Sequence, residues 1–89
     1  MIEIKMFTSP TCGPCKMMKP MIETITKENG YAFEKFCIVE QPELAASEEI
    51  KFVPTIKIYK DGVIRDTVIG MNSKQMIIDV INRVLEEDK

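Results

Sequence analysis

The chain has 89 residues, of which 45% are hydrophobic and 29% are charged. This length and composition predict one globular domain over residues 1–89 and exclude an intrinsically disordered protein. The formal net charge is -2, and no basic stripe is interleaved with aromatic residues, so a nucleic-acid partner is not expected.

The first strand and the first helix flank the most distinctive stretch of the sequence. Residues 2–5 alternate apolar and charged side chains, and the stretch runs on into turn-forming residues, which predicts a strand over about residues 2–7. Apolar residues then recur at helical spacing, which predicts a helix over about residues 13–28 that ends at an Asn-Gly pair. The same spacing assigns Met18 and Met21 to the core.

A second strand and a short helix follow. The segment YAFEKFCIV is aromatic and β-branched, and it predicts a strand near residues 32–38. Within that strand, Cys37 is interpreted as a small buried hydrophobic side chain. Gln41-Pro42-Glu43 is typical of a helix start, with proline in the first turn.

A hairpin and a final helix close the chain. Residues 55–60 alternate cleanly, an Asp-Gly pair predicts a tight turn, and VIRDTVI supplies the returning strand. Asn72 or Ser73 is the predicted N-cap of the last helix, which ends in the charged tail EEDK. The predicted fold is therefore α/β, in the order β-α-β-α-β-β-α, with a four-stranded mixed sheet and three helices. Its first two strands, joined by a helical crossover, should be parallel and buried.

The start of the chain and its cysteine count indicate the compartment. The opening MIEIKMF is too short and too charged for a signal peptide, and no run approaches about 18 apolar residues, so no membrane association is expected. An odd number of cysteines argues against the disulfide framework of a small secreted domain. We therefore expect a cytoplasmic protein.

Cys12 and Cys15 have three competing interpretations: a redox pair, half of a metal site, or an accident of a small core. Their position in a cytosolic chain, after a strand and at a helix start, favours the redox pair. A zinc site needs about four ligands, whereas the chain has three cysteines and no histidine, so no metal is expected. The lack of histidine also excludes Cys-His and Ser-His hydrolases.

The helix start gives such a pair its chemistry. Free N–H groups and the positive end of the helix dipole favour a thiolate at Cys12, and Lys16 adds a positive charge. Pro14 suits the first turn, where its missing N–H costs nothing. We expect Cys12 to face solvent and attack, and the shielded Cys15 to resolve the mixed disulfide without any metal or organic cofactor.

The sequence has CGPCK after a strand, a proline five residues beyond the second cysteine, VPT, KDG and VIG. Together these motifs resemble the thioredoxin family over essentially the whole chain. The resemblance implies a short thioredoxin fold and a protein disulfide reductase that acts by dithiol-disulfide exchange. It also implies protein disulfides as substrates, an NADPH-linked flavoprotein thioredoxin reductase as electron donor, and a monomer.

Carried over to this sequence, the resemblance makes Cys12 the nucleophile and Cys15 the resolving thiol. Pro20 corresponds to the proline that kinks the helix, and Pro54 to the cis proline that faces the disulfide. The resemblance also implies an apolar docking surface, which comprises Thr11, Gly13, Pro14, Val53, Pro54, Gly70 and Met71.

Two positions depart from the family pattern. Thr11 stands where a tryptophan usually precedes CGPC, so part of the apolar platform is missing. Met6 stands where the family buries an aspartate that assists proton movement at the buried thiol. Lys35 occupies the position of that aspartate's lysine partner and should reach solvent. Lys16 and Lys35 are the residues expected to modulate the site.

Two alternative functions stay open at this point. The first is a glutathione-coupled oxidoreductase of the glutaredoxin type, although that family usually has CPYC and a Gly-Gly stretch followed by acidic residues. The segment VIGMNSKQ has one glycine and no acid pair. The second alternative, suggested by the missing tryptophan and aspartate, is a non-catalytic thioredoxin-like binding subunit.

Overall fold

The computed structural model describes residues 1–87 and consists of a four-stranded sheet and three helices. The predicted order of elements is confirmed, with the bounds β1 Ile2–Thr8, α1 Gly13–Asn29, β2 Ala32–Cys37, α2 Pro42–Ser47, β3 Thr55–Lys60, β4 Val63–Ile69 and α3 Lys74–Glu87. Residues 88 and 89, the end of the predicted domain and of its charged tail, lie outside the described residues. Within residues 1–87, each helix is too short or too polar to span a lipid bilayer.

The sheet is mixed and has the strand order β2-β1-β3-β4. β1 pairs in parallel with β2 and antiparallel with β3, and β3 pairs antiparallel with β4. The predicted parallel pairing of the first two strands is therefore confirmed, since α1 returns the chain in the same direction. The predicted burial of β2 is wrong. β2 lies at an edge of the sheet and none of its residues is buried, whereas β1 lies between β2 and β3 and most of its residues are buried.

The core lies between one face of the sheet and helices α1 and α3. Each of its best-buried members exposes 2% of its surface or less: Ile2, Ile4, Met6, Met18, Ile22, Ile25, Ile56, Ile58, Ile77, Ile81 and Val84. Met18 lies in this cluster as predicted, and Met21 packs against it while partly buried. Burying one such side chain contributes roughly 1.5–3 kcal/mol, so the cluster holds α1 firmly against the sheet.

Local sequence signals define the helix ends. Gly30 ends α1 with a φ of 68°, a left-handed conformation that glycine adopts without strain, and its N–H donates to the carbonyl of Thr26. Pro20 lies inside α1. Of the two predicted caps of α3, Ser73 is the one that acts, because its hydroxyl accepts the N–H of Met76 at 3.2 Å.

The other face of the sheet carries a buried lysine. Lys57 is 9% exposed, and its Nζ donates to the Glu48 carboxylate at 2.7 Å and to the Glu48 carbonyl at 2.9 Å. The same ammonium lies 5.8 Å from the centre of the Phe7 ring. Nearby, burial raises the pKa of Tyr59 above its ordinary value, and the carboxylates of Glu48 and Glu3 raise it further. The Lys57 contacts tie the segment between α2 and β3 to the sheet.

Candidate active site

Cys12 and Cys15 form a disulfide at the N-terminus of α1. Their Cα atoms are 5.3 Å apart, within the roughly 4.4–6.8 Å that a disulfide spans. Cys12 is the N-cap and has an extended backbone, so the chain turns there from the loop after β1 into the helix. Pro14 lies in the first turn, as predicted. The helix start therefore brings the two cysteines into bonding distance.

The sulfur of Cys12 takes the place of a capping oxygen. The backbone N–H of Cys15 donates to Cys12 Sγ at 3.2 Å. A hydrogen-bond donor of this kind, together with the positive end of the helix dipole, stabilises negative charge at the capping atom. After reduction of the disulfide, the same arrangement favours the thiolate at Cys12.

The expectation that Cys12 faces solvent is wrong for the disulfide form. Cys12 is 8% exposed and Cys15 is 4% exposed, so both side chains are buried and differ little. The physical reason is that Cys12 Sγ is bonded to Cys15 and accepts its N–H, which turns the side chain back over the first turn of the helix.

The predicted cis proline lies at the same end of the sheet as the disulfide. Phe7 pairs with Thr55, so the chain that leaves β1 toward the cysteines and the chain that enters β3 share one end of the sheet. The peptide bond between Val53 and Pro54 is cis. The backbone N–H of Gly70 donates to the Pro54 carbonyl at 2.8 Å, which joins the segment after β4 to the segment before β3.

The residues of the predicted docking surface differ in exposure. Pro54 is buried and Val53 and Gly70 are half-buried, while the exposed members are Thr11, Gly13, Pro14 and Met71. Sequence reasoning missed Phe52 and Ile69, which are 66% and 58% exposed. Phe52 directly precedes Val53 and Ile69 directly precedes Gly70 in the chain. A large apolar side chain next to a residue of the predicted docking surface was the signal that could have identified them.

Met6 and Lys35 are partners in the parallel register of β1 and β2. Met6 is fully buried, whereas Lys35 is exposed, as expected. Neither Lys35 nor Lys16, which is also exposed, forms an ion pair with another of residues 1–87. Both residues expected to modulate the site are therefore cations without an ion-pair partner in the part of the chain that the structure describes.

A groove of about 440 Å³ opens beside the disulfide, between the start of α1 and the end of β2. The charged residues and cysteines that line it are Cys15, Lys16, Lys19, Lys35, Cys37 and Glu40. The predicted burial of Cys37 is wrong, because this cysteine ends an edge strand and borders the groove, where it is half-buried. Among residues 1–87, no three Cys, Asp or Glu side chains are arranged to hold a metal ion.

Comparisons with known sequences agree on one family. A family model described as Thioredoxin matches residues 3–83. The thioredoxin of Listeria monocytogenes is 38% identical over 79 residues, which cover 86% of this chain and 77% of the relative. The thioredoxin of Bacillus subtilis is 32% identical over 81 residues, which cover 89% of this chain and 78% of the relative.

Solved structures have the same fold. Thioredoxin 1 from Thermosipho africanus superposes with a TM-score of 0.88 at 29% identity, and the match covers 97% of each chain. The oxidised form of mitochondrial thioredoxin 3 from Saccharomyces cerevisiae gives a TM-score of 0.82 at 29% identity, covering 92% of this chain and 77% of the other. The matches extend over 97% and 92% of this chain.

Proposed function

Because this chain belongs to the thioredoxin family, we propose that its two paired thiols have separate roles in one reaction. The protein is a thiol-disulfide oxidoreductase that reduces protein disulfides by dithiol-disulfide exchange. The observation that carries this conclusion is the Cys12–Cys15 disulfide at the start of α1.

Reduction of a substrate disulfide takes two exchange steps. The Cys12 thiolate attacks one sulfur of the substrate disulfide, so that a bond to Cys12 forms, the substrate S–S bond breaks, and the released substrate thiolate takes up a proton. Cys15 then loses its proton and attacks Cys12 Sγ, so that the Cys12–Cys15 bond forms, the bond between Cys12 and the substrate sulfur breaks, and the released second substrate thiolate takes up a proton. Two electrons and two protons pass to the substrate, and the two thiols alone balance the reaction.

The contacts at the helix start support Cys12 as the attacking group. Its sulfur accepts the N–H of Cys15 at 3.2 Å, and this bond stabilises a thiolate at Cys12 and none at Cys15. Cys15 is buried, at 4% exposed, which suits a thiol that reacts with its neighbour. Lys16 follows Cys15 directly in the chain and lines the same groove, to which it brings a positive charge.

We assign the substrate's apolar contacts to the predicted docking surface, formed by Thr11, Gly13, Pro14, Val53, Pro54, Gly70 and Met71. Val53 takes part in none of the loop hydrogen bonds between backbone groups of residues 1–87. Its backbone is therefore available to pair with an extended segment of a substrate, as a strand would pair with a sheet edge. The bond from Gly70 to Pro54 supports this surface by fixing two of its segments together.

We further propose the setting in which the protein works. The CGPC motif supports an NADPH-linked flavoprotein thioredoxin reductase as the electron donor, and the odd cysteine count supports a reducing, cytoplasmic location. We propose that residues 1–89 belong to one domain, which the core between α1, α3 and the sheet supports, and that the protein acts as a monomer.

Reduction of insulin with dithiothreitol as electron source tests the function. The wild-type protein is expected to accelerate precipitation of the insulin B chain above the dithiothreitol background, because each turnover breaks an interchain disulfide. Cys12→Ser should abolish the acceleration, and Cys37→Ser, the matched control at the third cysteine, should retain it. Wild-type turnover by Cys12→Ser would overturn the assignment.

A further inference from the structure

The groove beside the disulfide has a charge opposite in sign to that of the whole chain. Three lysines line it, Lys16, Lys19 and Lys35, against one carboxylate, that of Glu40. The complete chain carries a formal net charge of -2. The groove is therefore a local concentration of positive charge on an acidic protein, and a concave wall focuses such a potential.

The three groove lysines differ in their ion pairing within the described part of the chain. Lys19 forms an exposed ion pair with Glu23, with a distance of 3.6 Å between Nζ and Oε1. Lys16 and Lys35 form no ion pair with another of residues 1–87. Since the register partner of Lys35 is the apolar Met6, its charge is not neutralised from β1.

The groove is separate from the docking surface and borders the disulfide at Cys15. Cys15 lines it, and so do Ser9 and Pro10 of the loop that leads to Cys12. None of Val53, Pro54, Gly70 or Met71 does. A substrate joined to Cys12 can therefore occupy both regions, with one flank on the docking surface and the other in the groove.

We propose that this groove is a second substrate subsite, which binds aspartate and glutamate side chains next to the reactive cysteine of a protein disulfide. The proposal rests on the function proposed above, since only a disulfide substrate is held at Cys12. Aspartate and glutamate are the assigned occupants because their negative charges complement the positive charges of Lys16 and Lys35. The volume of about 440 Å³ lies within the roughly 300–1,000 Å³ of ligand-binding clefts, which suits a few side chains of one segment.

Three peptide disulfides of equal length provide the test, with the cysteine flanked by Asp and Glu, by Asn and Gln, or by Lys. The reduced protein should reduce the acidic peptide about tenfold faster in kcat/KM than the neutral one, and the lysine peptide more slowly. The preference should shrink to less than about twofold when the ionic strength rises from about 0.01 M to about 1 M, where the Debye length falls from about 30 Å to about 3 Å.

The double variant Lys16→Gln/Lys35→Gln should bring the ratio of acidic to neutral kcat/KM close to one. The ratio is the readout because any change in thiol reactivity affects both peptides alike. Lys27→Gln/Lys74→Gln is the matched control, with the same loss of charge at two exposed lysines outside the groove, and it should keep the preference. Circular dichroism checks that both variants fold.

Equal reduction of the three peptides at low ionic strength would overturn the proposal. So would a preference that survives Lys16→Gln/Lys35→Gln, or one that the control variant loses to the same extent. Two small disulfides, the anionic oxidised glutathione and the neutral hydroxyethyl disulfide, provide a further comparison. If the preference for acidic substrates appears with this pair and with none of the peptides, a small anion occupies the groove and the proposal is overturned. Failure of the proposed function gives a different result, in which none of the peptides is reduced.

Discussion

Met6 and Lys35 stand opposite each other in the parallel register of β1 and β2, one fully buried and the other exposed. The family resemblance implies an aspartate at position 6, with a lysine at position 35 as its partner. In this chain the buried position is apolar, and the lysine charge is available at the mouth of the groove. Because position 6 is a methionine, no carboxylate there neutralises Lys35, and the lysine contributes its charge to the groove.

Restoring the acid tests this relationship. Met6→Asp should lower the free energy of unfolding by about 2–5 kcal/mol, because it removes core packing and buries a carboxyl group. Lys35 should offset part of that cost, so Lys35→Met should be more damaging in the Met6→Asp background than in the wild type. Urea denaturation of the four proteins measures the coupling. An equal cost of Lys35→Met in both backgrounds would contradict the facing arrangement.

The ion pair on the other face of the sheet should respond unequally to loss of its two partners. Glu48→Ala should lower the free energy of unfolding by about 2–4 kcal/mol, because it leaves the buried Lys57 ammonium with the backbone carbonyl of residue 48 as its hydrogen-bond acceptor. Lys57→Met should cost less than about 2 kcal/mol, because methionine keeps the apolar stem and the partly exposed Glu48 carboxylate can turn to water.

Chemical denaturation measures both costs. Glu23→Ala is the control, since its pair with Lys19 is exposed on α1 and its loss should change stability by no more than about 0.5 kcal/mol. A larger loss of unfolding free energy for Lys57→Met than for Glu48→Ala would contradict this account, because Lys57 would then depend less on Glu48 than its burial indicates.

Cys37 should react with iodoacetamide in the folded, oxidised protein. Cys12 and Cys15 are bonded to each other, so Cys37 is the one thiol that remains of three cysteines, and it is half-buried at the groove. Mass spectrometry should find one carbamidomethyl group on Cys37 and none on the Cys37→Ser variant. Labelling that occurs only after addition of urea would mean that the thiol is shielded.

The hairpin was predictable because its signals are local. β3 and β4 occupy the predicted residues, since their alternation and the Asp61-Gly62 pair act within a short stretch. Asp61 and Gly62 have φ values of 53° and 82°, the left-handed conformations that this type of tight turn requires. The helix start at the cysteines was predictable for the same reason, from the helical spacing of the apolar residues and the proline in the first turn.

The incorrect predictions concern features that depend on how elements distant in the sequence assemble. The apolar segment of β2 resembles a buried strand, and only the insertion of β1 between β2 and β3 puts it, and with it Cys37, at the sheet edge. The groove joins lysines of α1 to Lys35 of β2, which no local pattern connects. The burial of Cys12 depends on the disulfide itself, which folds the side chain over the helix start.

Trapping the mixed disulfide tests the division of roles between Cys12 and Cys15 most directly. Reduced Cys15→Ser, mixed with a disulfide-bonded protein substrate, should accumulate a covalent complex joined through Cys12, because the thiol that would release it is missing. Peptide mapping of the complex by mass spectrometry identifies the joined cysteine, and Cys12→Ser should form little or no complex. A complex that forms equally well through Cys15 in Cys12→Ser would contradict the account.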